Sequence, residues 1–574
     1  MDNSNGKITL RIKLISSLFL FLAAILIVRL FQKEVVENKS YLAAAKNQQQ
    51  FFQIELAQRG KIYFHDSTDD SSKNYAMAFD NKSFSLYVIP KNLKDKKIVA
   101  EKLAPFVGIS EMEIYTQINN DKSYLPALKR GLSYDDADKI EALEIPGVYI
   151  LPEYKRYYPE SEFASQILGF VDAEGNGKYG FEGFYDKELK GSSGKITGEK
   201  DTLGQVVSLL LEEEPQDGTS FLLSIDRSVN FYMYQSLKKA LEQYQAESGL
   251  AVAVDIKTGK IIAMASLPSF DPNKFSDYAN AGQEELFKNP VIATTYEPGS
   301  VFKPIIVASG LDSGKITPDS AGTFGATVTV QGFTIHTAED KAFGHENIGE
   351  ILKHSDNVGM VWVGSQISSP TIFDYLSKFG FAEKTGIDLT GENIGIIQPL
   401  RDWGEIGRAT VSFGQGISVT PMQLVMAYAG IANRGLVMKP QIVDKIIQSD
   451  GNVSTVEPVE SRRAISETTA ADLTKMLIGV VEEGYGKKAG VAGFWVAGKT
   501  GTAQIPNPDG RGYQEGVFNH SFAGFAPADN PRFAMLVELN KPKNAKFAES
   551  SAAPVWGNIA SYLLNYYYRI APNR

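Results

Sequence analysis

The sequence predicts an α+β protein: one N-terminal transmembrane helix, an irregular mixed α/β module, then a larger domain whose antiparallel sheet is flanked by helices. Three observations carry this. An apolar run near the N-terminus is unbroken on every face. Residues 51–171 mix short strand and helix patterns with no regular period. Beyond residue 218, apolar strands stand at both ends of a helical middle, which implies that the two ends meet in one sheet.

Residues 1–11 form a polar stub carrying Lys7 and Arg11. The apolar run at 12–31, with Lys13 and Arg29 snorkelling, gives about 20 residues or about 30 Å of helix, enough to span a bilayer. Positive charge on the short side predicts a cytoplasmic N-terminus, with everything after residue 32 outside the cell membrane. A cleaved signal peptide is the rival. Ala43-Ala44-Ala45 resembles a cleavage site, but charged residues and many positions separate it from the apolar core, so an uncleaved anchor is the expectation.

Residues 32–215 read as a pedestal without a catalytic set. A polar helix is expected over 33–50, strands over 51–61 and 84–89, helices over 98–107 and 133–143, and an extended aromatic stretch over 148–158. Gly175-Asn-Gly177-Lys-Tyr-Gly180 matches the dinucleotide fingerprint, but that motif needs a long helix opening at its glycines. Gly183, Gly191 and Gly194 follow instead, so turns are expected and no nucleotide cofactor.

The polar stretch Glu212 to Gly218 reads as a linker, and residues 219–574 as the second domain. Val229, Tyr232, Met233, Leu237 and Leu241 mark an amphipathic helix. Strands are expected over 249–255 and 260–266, joined by a hairpin at Lys257-Thr-Gly259. Helices follow at 423–433 and 468–483, strands at 494–505, 520–526 and 533–540, and a last helix near 554–569.

Composition removes several functions. At 574 residues the chain exceeds one ordinary domain, and its net charge of −9 gives no support for nucleic-acid binding. No repeat of solenoid period is present. The absence of cysteine excludes disulfides, thiolate metal sites and a cysteine nucleophile; it suits an exported bacterial-type protein as well as a cytosolic one. His345-Glu346 lacks the second histidine of a zinc helix, since Gly349 stands there, so no metal is expected.

Chemistry concentrates at Glu297-Pro-Gly-Ser300-Val-Phe-Lys303-Pro304. A serine and lysine three apart share one helical face, and Pro298, Gly299 and Pro304 place the helix start at the serine. A serine beside a potential base is the minimum for covalent acyl transfer, yet this spacing alone fits many proteins. Two further sets add weight. Ser355-Asp356-Asn357 lies between two helical patterns, as a loop tip would, and Lys499-Thr500-Gly501-Thr502 lies on a strand. S-x-x-K, S-D-N and K-T-G together are the known signature of class A β-lactamases and penicillin-binding proteins.

The chain resembles the class B penicillin-binding proteins over nearly its whole length. Arg59-Gly-Lys-Ile62 and Arg156-Tyr-Tyr-Pro159 resemble that family's pedestal motifs. Val254 to Gly259, Pro268 to Asn273, Phe413-Gly-Gln-Gly416 and Ser418-Val-Thr-Pro421 resemble those of its transpeptidase domain, a serine β-lactamase-like fold. Ala246-Glu-Ser-Gly249 and the modest pedestal favour the septal, FtsI-like branch.

The resemblance implies a peptidoglycan D,D-transpeptidase acting on D-Ala-D-Ala stem peptides and acylated by β-lactam antibiotics. It makes Ser300 the nucleophile, Lys303 its base, Ser355 a proton relay, Asn357 an orienting residue and Lys499 a nearby cation. It assigns Thr500, Gly501 and Thr502 to substrate binding, and the backbone N–H groups of Ser300 and Thr502 to the oxyanion hole. A membrane glycan polymerase of the SEDS type and divisome proteins are the expected partners.

Three rivals are weaker. Gly493 to Thr500 fits the phosphate-loop pattern, but its interior is strand-like and Gly501, Pro506 and Pro508 forbid the required helix. A β-lactamase needs a deacylating glutamate, and no Glu-x-x-x-Asn lies between Asn357 and Lys499. A non-catalytic scaffold would not need serine, lysine and asparagine intact. No second, glycosyltransferase-type catalytic domain is apparent.

Overall fold

The computed structural model describes residues 4–39, 50–55, 57–66, 74–122, 125–200, 206–507 and 512–572. They fall into two compact units, residues 1–57 with 192–217, and residues 58–191 with 218–574.

In the first unit, Ser4–Phe31 is one α-helix, continued by a π-helical turn at Gln32–Val36. Within Ile12–Val36 the most apolar stretch has a mean hydropathy of 2.6 and contains no buried residue, so the helix is long and apolar enough to cross a membrane. The polar helix expected over 33–50 starts as this turn, and residues 40–49 lie outside the described residues. Gln50–Glu55, Gly194–Lys200 and Val206–Glu213 form a three-stranded antiparallel sheet in that order.

The strand expected over 51–61 does not run through: Gln50–Glu55 and Ile62–His65 are separate strands. Between them Arg59 leaves the extended pattern to enter a buried ion cluster. Its Nε donates to Glu182 Oε2 at 2.7 Å and its Nη1 to Asp186 Oδ1 at 2.8 Å. Arg156 Nε meets the other Glu182 oxygen at 2.7 Å and Arg156 Nη1 reaches Asp80 at 3.2 Å. Desolvating these charges is expensive, and the charge-assisted hydrogen bonds, one Glu182 oxygen to each arginine, offset the cost. The two arginine motifs noted in the sequence are thus halves of one cluster.

The glycine-rich stretch at 175–180 is a turn, as expected. Gly177 N–H donates to Asp186 Oδ1 at 2.6 Å, and the helix that follows, Gly180–Phe184, has only 5 residues.

A mixed seven-stranded sheet joins this region to later sequence. Val453–Thr455, Val443–Ile447, Ser220–Asp226, Ile62–His65, Asn74–Val88 and Lys129–Leu132 follow in order, and Val148–Tyr157 also pairs with Asn74–Val88. The helix expected over 133–143 is Tyr134–Glu141, started by Ser133 accepting from Asp136 N–H.

The second sheet positions the site. Its five antiparallel strands run Ile261–Leu267, Ser248–Asp255, Phe533–Asn540, Tyr513–Ala526 and Ala497–Pro506, so the ends of the domain meet as predicted. One face packs its Ala251, Phe522, Met535 and Val537 under the helices Arg227–Tyr244 and Ala552–Tyr562. The other face, with Val252, Ala523 and Leu536, shares a core with Lys303–Asp312 and Pro421–Ala432. The last helix is shorter than expected, since Ala552–Tyr562 gives way to a π turn at Leu563–Tyr567. The Lys499 strand is the sheet's edge, and it continues as strand to Pro506, which disposes of the phosphate loop.

Candidate active site

The α-helix expected to start at Ser300 starts three residues later. Gly299–Phe302 is a 3-10 turn, and the α-helix begins at Lys303 with Pro304 in its first turn, where a missing N–H is harmless. In a 3-10 turn residues i and i+3 eclipse, so serine and lysine still share a face.

Backbone close approaches hold the turn. Gly299 has φ +58, and its N–H donates to Gly414 O at 2.9 Å. A Cβ at Gly414 would lie 2.1 Å from Gly299 O, so the Phe413-Gly-Gln-Gly416 motif acts by having no side chain there. Behind the turn, buried Tyr428 donates its hydroxyl proton to Val301 O at 2.7 Å. In front, a Cβ at Gly501 would stand 2.9 Å from Val301 Cγ1 and 3.1 Å from Pro298 O, so glycine lets the edge strand press against the turn.

Lys303 and Lys499 are both fully buried. Lys303 Nζ lies 2.6 Å from Ser355 O, 2.8 Å from Asn357 Oδ1 and 3.3 Å from Ser355 Oγ, so a neutral amine can donate to the first two and accept from the hydroxyl. Lys499 Nζ reaches Ser355 Oγ at 3.0 Å and Thr500 O at 3.2 Å. One hydroxyl therefore sits between two lysine nitrogens. Burial first, then the Lys499 charge, pushes the Lys303 ammonium well below its ordinary range, against Asp356 and Glu346. Burial alone brings Lys499 down to about 7.

Ser355-Asp356-Asn357 is the expected link between helices. Ser355, at φ +55, ends Ile348–His354, and Asp356 caps Asn357–Gln366. Asn357 Nδ2 donates to His336 O at 3.0 Å, leaving its oxygen for Lys303. Of the K-T-G residues, Thr500 is 7% exposed, and Thr502 Oγ1 already accepts from Ala548 N–H at 3.1 Å. All eight sequence-predicted residues thus lie at the Ser300 turn, the 355–357 turn or the sheet edge. No Ser300–Lys303 hydrogen bond forms among the described residues; the lysine faces Ser355 and Asn357.

Sequence reasoning missed Glu297 and its partner. The carboxylate accepts from Gly416 N–H and from Tyr513 Oη, each at 3.0 Å, tying two loops to the serine turn. Burial raises this carboxyl, against those two hydrogen bonds. Its place three residues before Ser300 was the only signal; Tyr428 and Tyr513 carried none.

Residues 249–561 match the family model described as the penicillin binding protein transpeptidase domain. Residues 54–223 match that of the penicillin-binding protein dimerisation domain. Stage V sporulation protein D of Bacillus subtilis (strain 168) is 34% identical over 491 residues, 84% of this chain and 75% of that protein. Peptidoglycan D,D-transpeptidase FtsI of Escherichia coli (strain K12) is 32% identical over 506 residues, 87% of this chain and 82% of its own. The solved structure of penicillin binding protein 3 from Mycobacterium tuberculosis, complexed with aztreonam, is 26% identical with a TM-score of 0.70, covering 91% of this chain and 98% of that one. With two family models in tandem and relatives aligned across both, the chain belongs to the class B penicillin-binding proteins.

Proposed function

We propose that the protein is a serine-type peptidoglycan D,D-transpeptidase whose acyl-enzyme forms at Ser300. The observation that carries this is the Ser355 hydroxyl set between two buried lysines, 3.3 Å from Lys303 and 3.0 Å from Lys499, beside the Ser300 turn. Burial and the second cation favour a neutral Lys303, as a general base requires.

Ser300 Oγ gives its proton to Lys303 and attacks the carbonyl carbon of the penultimate D-alanine. The peptide C–N bond breaks, and the amine of the terminal D-alanine takes a proton relayed from Lys303 through Ser355. An amine of a second stem peptide then attacks the ester, forming the cross-link and returning a proton to Ser300. Backbone N–H groups of Ser300 and Thr502 stabilise the oxyanion; one such donor is worth roughly 3 kcal/mol in other acyl-transfer enzymes. Asn357 orients Lys303, and Thr500, Gly501 and Thr502 receive the substrate's terminal carboxylate beside Lys499. A β-lactam takes the first substrate's place.

The division-type names among the relatives support a septal role. Residues 12–31 are read as a single anchor with the N-terminus cytoplasmic, 32–215 as pedestal and 219–574 as the catalytic domain, outside the membrane where peptidoglycan lies. A SEDS-type glycan polymerase is the proposed membrane partner. The test is to label the full-length chain with a tagged penicillin and digest it for mass spectrometry. An adduct is expected on the peptide containing Ser300 and absent from Ser300→Ala; equal labelling of that variant would sink the assignment.

A further inference from the structure

Beneath the Ser355–Asn357 turn lie two carboxyl groups that the scheme above does not use. Asp356 is fully buried; its Oδ1 accepts from Val358 N–H at 2.8 Å, and its Oδ2 has no hydrogen-bond partner. Glu346, on the strand Gly344–Asn347, is 1% exposed; its Oε1 bonds His354 Nδ1, and its Oε2 likewise has no partner. Glu346 is tied to His354, two residues before Asp356, and Asp356 as a hydrogen-bonding and charged neighbour raises the Glu346 carboxyl. Two ionised carboxylates hold only acceptors, so no bond joins them. One proton turns the contact into an O–H···O bond and satisfies both orphaned oxygens.

We propose that Glu346 and Asp356 share one proton, and that Glu346 is thereby a positioning residue for Lys303. The shared proton holds the turn that presents Ser355 and Asn357, and keeps the charge beneath the lysine at one. This rests on Lys303 being the base for Ser300.

The groups facing the pair are Lys303 from the Lys303–Asp312 helix, His354 from Ile348–His354, and Tyr485 beyond Glu467–Glu482; Lys499 acts on Lys303 from the sheet edge. His354, 44% exposed and stacked on Phe343, gives the pair its contact with solvent. Both carboxyls draw Lys303 toward its ammonium form. Losing the shared proton adds a second buried negative charge, returns Lys303 to the ammonium and sets two carboxylates against each other under the turn. Burial, reinforced by Asp356 and opposed by His354, raises Glu346 to about 7, so this loss falls near neutrality.

The test measures the second-order rate of acylation of the full-length chain by a fluorescent penicillin between about pH 6 and about pH 9. In Glu346→Gln the amide donates the same bond at every pH. Its rate near pH 6 should match wild type, and its alkaline decline should be shallower than wild type, what remains being the loss of the Lys499 charge near 7. Glu346→Leu leaves Asp356 Oδ2 unsatisfied and should be slower by roughly tenfold or more throughout. Independently of activity, the infrared difference spectrum of wild type minus Glu346→Gln at about pH 6 should contain a protonated-carboxyl stretch. A difference spectrum without that band overturns the shared proton. A Gln profile superimposed on wild type overturns the positioning role. If Ser300 is not acylated at all, the assignment of the base fails instead, and the infrared band decides the shared proton alone.

Discussion

Alanine at position 501 would put a methyl group where the edge strand crosses the serine turn. Its Cβ would lie 2.6 Å from Ser521 Oγ, 2.9 Å from Val301 Cγ1 and 3.1 Å from Pro298 O. Contacts between carbon atoms are comfortable at about 3.5–4.0 Å, so turn and strand must part by several tenths of an ångström. Ala497–Pro506 has a sheet neighbour on one side only, so it is the element that yields. Overpacking of this kind costs roughly 1–3 kcal/mol of stability. The strand also carries Lys499, Thr500 and Thr502, and a misplacement near 1 Å costs about a hundredfold in rate, so this smaller one should slow acylation roughly tenfold. Ser521 Oγ is buried without a partner, so Ser521→Ala alone should be nearly neutral. Combined with Gly501→Ala it removes the closest contact and should restore part of the rate, a coupling of roughly 0.5–3 kcal/mol. Fluorescent-penicillin acylation and thermal unfolding of the three variants are the assays. Wild-type acylation by Gly501→Ala, or a double variant no better than the single, would refute the reasoning.

Lys303→Met should slow acylation by roughly a hundredfold to ten-thousandfold, the usual share of general acid–base catalysis, with the fold retained in a melt. In the wild type, because the folded Lys303 ammonium lies well below 10.5, acylation should reach its maximum well short of that value, before the alkaline decline that the Glu346–Asp356 pair imposes; a rate still climbing at 10.5 would count against a neutral base. Burial raises the Glu538 carboxyl to about 8, so the folded chain holds a proton that the unfolded chain releases from 4.5 upward. Stability is therefore lost as pH rises through that window, and Glu538→Gln should be more stabilising at pH 8 than at pH 4.5; a pH-independent difference in melting temperature would contradict this. Glu182→Leu leaves Arg59 and Arg156 buried without their shared carboxylate and should cost roughly 3–5 kcal/mol, read from denaturant unfolding.

The sequence by itself determined the elements whose causes are local. The apolar run of the anchor is one. The helix at Pro421–Ala432, started by the Thr420–Gln423 capping box, and the apolar strands at both ends of the catalytic region are others. The eight candidate site residues were legible as candidates too, because they fall in three short motifs, although only the fold brings those motifs together. Tertiary structure decided the rest. Arg59 and Glu182 are 123 positions apart and Arg156 and Glu182 are 26 apart, so no window reveals their cluster. The 3-10 turn at Ser300 exists because Gly414 and Gly501 from distant segments press on it, which no local propensity encodes. Likewise the sequence marks Lys303 as a candidate base only by its spacing from Ser300; burial beside Lys499 is what lowers its ammonium, because desolvation and charge repulsion act through space and not along the chain.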